Sequence, residues 1–160
     1  MEDQQDSAAL DFAATWRNAK SLNICEVEQL LRIPFLQGEA SGTTKPHLEM
    51  AFTHARRFAR LKDTQALQEL RMALEDWEAP SNLLSSGADG KLAGFEQAQL
   101  VNLLPADPDE AVVLIPSLKR FAPIDITSAI DVINSFTKST MGAQDSINPH
   151  HMAGPASLHY

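Results

Sequence analysis

Chemistry in this chain would have to come from five histidines, one cysteine and a few acidic pairs. His150, His151 and His159 lie near the C-terminal end, where NPHH resembles a fragment of a metal site. A stable site needs three or four placed ligands, and two adjacent histidines supply too few. His47 and His54 are seven apart on a predicted helix, two turns from each other, and cannot share one ion. Cys25 has Glu26 as its neighbour, and a negative neighbour raises a thiol pKa rather than activating it. A packed structural cysteine is the better reading, although a nucleophile is the alternative. The pairs Glu75/Asp76 and Asp109/Glu110 could do acid–base work, but such pairs usually sit on helix surfaces or at caps. No Walker loop, GxSxG, HExxH or CxxC motif occurs. The expectation is a chain with no catalytic residues, no metal and no cofactor.

One cluster stands out. HARRFARLK, His54 to Lys62, places Arg56, Arg57, Arg60 and Lys62 within seven residues of an otherwise acidic chain. Arg56 and Arg60 are four apart and share a helix face, with Arg57 beside them. One reading is the solvated side of an amphipathic helix. The other is contact with RNA or with an acidic partner. Phe52 and Phe58 fall on the apolar stripe of the same helix, so both are assigned to the core rather than to base stacking.

The chain as a whole carries 21 acids against 13 bases, a formal net charge of −8 over 160 residues. Tight nucleic-acid binding over the whole surface is disfavoured, because that affinity comes mostly from Lys and Arg neutralising phosphates. An anionic membrane is disfavoured for the same reason. The start, MEDQQDSAAL, is acidic and does not read as a secretory signal. No apolar run approaches the ~20 residues a membrane helix needs. A single cysteine cannot form an internal disulfide, which points to a reducing compartment. Hydrophobic residues make up 44% and aromatics 6%, so the core must be mainly Leu, Ile, Val and Ala.

The elements that position these residues are helical. Residues 1–9 read as disordered. Residues 10–36 read as an apolar arm, with Leu10, Phe12 and Trp16, followed by a first helix from Leu22 to Arg32. Ile24, Val27, Leu30 and Leu31 lie on its apolar side. Asn23 or Ser21 can cap its start, and Pro34 is expected to end it. Residues 37–45 read as a loop. Residues 46–79 form a pair of helices, the first opening at Pro46 and carrying Leu48, Ala51, Phe52, Ala55, Phe58 and Ala59. The second is capped by Asp63, carries Leu67, Leu70, Leu74 and Trp77, and is ended by Pro80. Residues 80–92 read as a loop insertion.

The stretch FEQAQLVNLLPADPDEAVVLIPSLKRF, Phe95 to Phe121, is the most tightly patterned. Phe95, Ala98, Val101 and Leu104 mark one helix. Asp107, Pro108 and Glu110 open a second with a capping box, and Ala111, Leu114, Ile115 and Leu118 are its expected buried face. Pro116 should end or kink it. Asp125 or Thr127 starts a last helix with Ile126, Ala129, Ile130, Ile133 and Phe136 inward. The three helices of 93–138 read as a bundle, and 139–160 as a disordered tail. The fold class is all-α.

The same stretch resembles the C-terminal core of the fourth subunit of eukaryotic RNA polymerase II, a family of stalk proteins with archaeal relatives. That family carries an FE-x-A-x-L-x-NL helix, a P-x-x-x-x-EA turn and an LIPSL helix end. This chain has FEQAQLVNLL, PADPDEA and LIPSL in the same order and spacing. DITSAIDVINSF is similar to the closing helix, ARRFARLKD to an ARFSRFK-type helix end, and LNICEVEQLL to a first helix of the type LNSEVHMLL. The 80–92 segment and the tail are longer than usual in the family.

The resemblance implies an HRDC-like helical fold and a non-catalytic subunit in the nucleus, shuttling to the cytoplasm. It also implies a heterodimer with the seventh polymerase subunit, an OB-fold partner, attached to the polymerase core beside the RNA exit channel. Roles in initiation and transcript handling follow from it. The expected partner-binding residues are Leu10, Phe12, Trp16, Leu22, Ile24, Val27, Leu30 and Leu31; Arg56, Arg57, Arg60 and Lys62 are expected at an RNA or partner contact. The competing readings are the equivalent stalk protein of another nuclear polymerase and a stand-alone HRDC-like nucleic-acid module.

Overall fold

The computed structural model describes Asp6, residues 19–81 and residues 90–144, with side chains as far as Lys138. Among the described residues, six α-helices and one 3₁₀ helix account for most of the structure, and Glu78 and Lys91 pair as an isolated bridge. The all-α expectation holds.

Helix α1 spans Ile24–Ser41. Its start is written in Asn23, whose side chain accepts from the N–H groups of Cys25 and Glu26 at 3.0 Å. Glu26 returns the bond, accepting from the Asn23 N–H at 2.9 Å. This reciprocal pair satisfies the orphan donors of the first turn. The helix does not stop at Pro34, as the sequence suggested; it runs through it to Ser41. Pro34 lies on the exposed side, and contacts beyond it hold the second half in place. Phe35 stacks on Phe52 with ring centroids 4.4 Å apart. The true stop is Gly42, at φ 66°, where the absence of a Cβ removes the left-handed penalty. Gly38 lets the following turn fold back tightly, since a Cβ there would lie 2.9 Å from Thr44 Oγ1. The expected 37–45 loop therefore shrinks to four residues.

Helix α2, Pro46–Phe58, returns antiparallel along α1 with proline in its first turn. Phe52 and Ala55 are buried. Phe58, expected in the core, is instead half exposed, and Ala51 is exposed as well. The buried stripe passes through 52, 55 and 59 instead. Helix α3, Thr64–Glu75, is capped by Asp63, which accepts from the Gln65 N–H at 2.9 Å. It ends before Trp77, which was expected on the helix. Trp77 is buried in the turn that follows, its ring edge-on to Phe121 and its indole N–H donating to Ser128 Oγ at 3.3 Å. Glu78 and Lys91 then form the isolated bridge, and the Ala79 N–H donates to Gly90 O at 2.9 Å. These contacts close the base of the 80–92 insertion.

Helix α4 is Gly94–Leu103 and α5 is Pro108–Leu114. Between them Leu104 adopts φ 49°. A left-handed leucine costs about 1–2 kcal/mol; its packing against the core offsets that. Asp107 caps α5, accepting from the Glu110 N–H at 2.8 Å, and Glu110 reaches back to the Ala106 N–H at 2.7 Å. Pro116 does end α5, and a 3₁₀ helix, Pro116–Arg120, follows. Ala111, Ile115 and Leu118 are buried, but Leu114 is 43% exposed, against expectation. In so short a helix the inward stripe runs straight from 111 to 115 and leaves 114 at its edge.

Helix α6, Pro123–Gln144, continues past Ser139, where a disordered tail was expected. Ile126, Ala129, Ile130 and Ile133 point inward and Phe136 packs against the core's edge. Asp125 sits in its first turn, not before it. Its fully buried carboxylate accepts from the Ser81 N–H at 2.9 Å, the Ser81 hydroxyl at 2.6 Å and the Ala122 N–H at 3.3 Å. One hydrophobic cluster joins Cys25, the α3 leucines, α4, the Ile115–Leu118 turn and α6. Leucine, isoleucine and alanine dominate it, as the aromatic-poor composition requires.

Candidate partner interface

The N-terminal end of α1 is fastened to this core. The Ile24 N–H donates to Asn102 Oδ1 at 2.8 Å, and Glu26 pairs with Arg71, which also holds Glu75 at 2.8 Å. Cys25 is 1% exposed. Burial pushes its thiol above the ordinary value; backbone hydrogen bonding at Leu61 and Arg60 opposes the rise, and the charges of Glu26 and Glu28 add to it. The packed structural reading of Cys25 fits this environment.

Beyond that anchor α1 packs chiefly against α2. Glu28 is buried and accepts three bonds from the Arg32 guanidinium, at 2.9, 3.0 and 3.3 Å. A cleft of about 380 Å³ lies between the helices, floored by Phe35 and Phe52 and edged by Arg32, Glu39, Arg56 and Lys62. A row of aliphatic residues on α1, reaching the rim of this cleft at Leu36, is uncovered. Leu30 is 62% exposed, Ile33 64% and Leu36 53%. Spaced three apart, they fall on one broad side of the helix. Folded monomers seldom leave a row of large aliphatics in water without a partner to cover it.

The predicted interface residues therefore separate. Leu30 and Leu22 stand exposed, Val27 and Leu31 are half buried, and Ile24 packs partly against the chain's own core. Leu10, Phe12 and Trp16 lie outside the described residues. Ile33 and Leu36 were missed because the helix was ended at Pro34; the three-residue repeat Leu30, Ile33, Leu36 was the signal available. Arg56, Arg57, Arg60 and Lys62 are all exposed.

The sequence reading assigned no role to Glu96. It is wholly buried, and its carboxylate accepts from both terminal nitrogens of Arg120, from Ser117 Oγ at 2.6 Å and from the Ala93 N–H at 2.8 Å. These bonds make it a structural clamp between α4 and the 3₁₀ helix. Among the described residues no group of three or more His, Cys, Asp and Glu could hold a metal ion, and no helix is long and apolar enough to cross a membrane.

The sequence matches the family model described as RNA polymerase Rpb4 over residues 21–137. It is similar to "DNA-directed RNA polymerase II subunit rpb4" of Dictyostelium discoideum, 27% identical over 156 residues, covering 86% of this chain and 92% of that one. It is also similar to "DNA-directed RNA polymerase II subunit 4" of Arabidopsis thaliana, 28% identical over 123 residues, covering 74% of this chain and 80% of that one. The match takes in α1 with its uncovered aliphatic side, the α1–α2 hairpin and the Glu96–Arg120 clamp, and the chain belongs to the RNA polymerase Rpb4 family.

Proposed function

We propose that this chain is a non-catalytic subunit of nuclear RNA polymerase II that works by docking, pairing with the seventh subunit beside the RNA exit channel and supporting initiation and transcript handling. The observation that carries the docking part is the uncovered aliphatic side of α1, Leu30, Ile33 and Leu36, on a helix fastened to the core at its first turn. Burying each such side chain contributes about 1.5–3 kcal/mol, so three together, joined by Leu22 and the half-buried Val27 and Leu31, can hold a stable heterodimer. The family and the two polymerase II relatives support the assignment to that enzyme.

The test is purification of the tagged chain from its own cells, with mass spectrometry of the chains that accompany it. The two large polymerase II subunits plus a stoichiometric OB-fold chain are the expected result. Large subunits of a different polymerase would reassign the chain and keep the docking role. No polymerase chain at all would overturn the proposal.

A further inference from the structure

The exposed position of Phe58 changes the meaning of the basic segment around it. Its ring is 50% exposed at the last residue of α2. The His54 ring lies beside it, centroids 4.8 Å apart and tilted by 48°. The Arg57 guanidinium sits over it, 5.6 Å from the ring centre. Arg56, Arg60 and Lys62 are exposed in the same segment, and among the described residues none of these four cations is held in an ion pair. That is unusual in a chain with eight more acids than bases. By contrast Arg32, Arg71 and Arg120 are each tied to a carboxylate.

We infer that this end of α2 is a binding site for single-stranded nucleic acid, with Phe58 as the stacking platform and Arg57 and Arg60 as the phosphate contacts. A solvated helix face would use cations without an exposed ring. A contact with a duplex backbone would use the cations and leave the ring idle. An unpaired base uses both, because it stacks on an aromatic face while its phosphate meets a neighbouring cation. His54 and Arg57 pack against the ring and hold it in place, which lowers the ordering cost of stacking. The segment borders the α1–α2 cleft that Leu36 shares with Arg56 and Lys62, but its ring and its named phosphate contacts belong to α2 and the residues just after it, so its test reads nucleic acid and not the heterodimer.

The experiment is fluorescence anisotropy on the full chain with labelled single strands of about 12 nucleotides, long enough for one site. Oligo-U RNA and oligo-dT DNA are titrated between low and physiological salt, with duplex RNA as competitor. The wild-type chain should bind one or both single strands. Phe58→Ala should weaken binding about fivefold to a hundredfold, while Phe58→Trp retains it. Arg57→Ala with Arg60→Ala should flatten the dependence of log affinity on log salt by about 0.7 per lost contact. Lys119→Ala, an exposed cation elsewhere, should change neither. A melting curve for each variant checks that the fold is kept. Equal affinity of Phe58→Ala and wild type, equal competition by duplex, or no binding by wild type would each overturn the site. So would a Phe58→Ala chain that binds single strands normally but loses its polymerase partners, since the ring would then be a protein contact.

Discussion

Glu96 and Arg120, 24 residues apart, meet as a bidentate ion pair in which the carboxylate is wholly shielded from water. Arg120 also donates to Ser117 O and Lys91 O at 3.0 Å and lies over the Phe121 ring at 4.3 Å. The pair ties the first turn of α4 to the 3₁₀ helix, and so joins the two ends of the Phe95–Phe121 stretch. Its charges could not be buried singly.

Breaking that pair from one side leaves a buried charge without a partner. Arg120→Ala should destabilise the fold by about 3–5 kcal/mol. Replacing both members, Glu96→Leu with Arg120→Met, should cost less than Arg120→Ala alone. Urea denaturation of the three proteins settles it. A loss below about 1 kcal/mol in Arg120→Ala would show the pair to be weak, as exposed pairs are.

The inward stripe of α5 makes a sharper claim than its sequence does. Leu118→Ala should cost about 2–5 kcal/mol, because the side chain is fully buried. Leu114→Ala, at the half-exposed edge, should cost about 1 kcal/mol or less. Comparable losses for the two would contradict the packing.

On α1 the two sides should respond differently. Leu30→Asp with Ile33→Asp should leave the circular dichroism spectrum and melting temperature nearly unchanged and abolish co-purification with the partner chain. Ile24→Ala should lower the melting temperature, since its side chain packs on the core. Full co-purification of the double variant would move the interface off α1.

Cys25 should be silent to thiol reagents in the folded state. Its raised pKa keeps it protonated at neutral pH, and burial blocks access. The sign of the linkage follows. A raised folded-state pKa favours folding fully below the ordinary thiol value, and that contribution is lost as pH climbs above it. Labelling by a disulfide reagent at neutral pH should therefore be slow and become fast on adding urea. Fast labelling of the native chain would disprove the burial.

Local chemistry decided much of this protein without help from the fold. Asn23 with Glu26, Asp63, and Asp107 with Pro108 each mark a helix start, because a cap needs only partners two or three residues away. Pro116 ends α5 for the same local reason, and the apolar period placed the inward faces of α3 and α6. The tertiary structure decided what depends on distant neighbours. Pro34 is tolerated where contacts with α2, the Phe35–Phe52 stack among them, hold the helix beyond it, and Gly42 rather than proline became the stop. Phe58 and Leu114 match the apolar rhythm of their helices, yet both are left exposed, Phe58 at 50% and Leu114 at 43%. Glu96 reads as one more surface acid until Arg120, 24 residues on, is folded against it. A periodic pattern says which side of a helix could be buried; only the packing of the other helices says which side is.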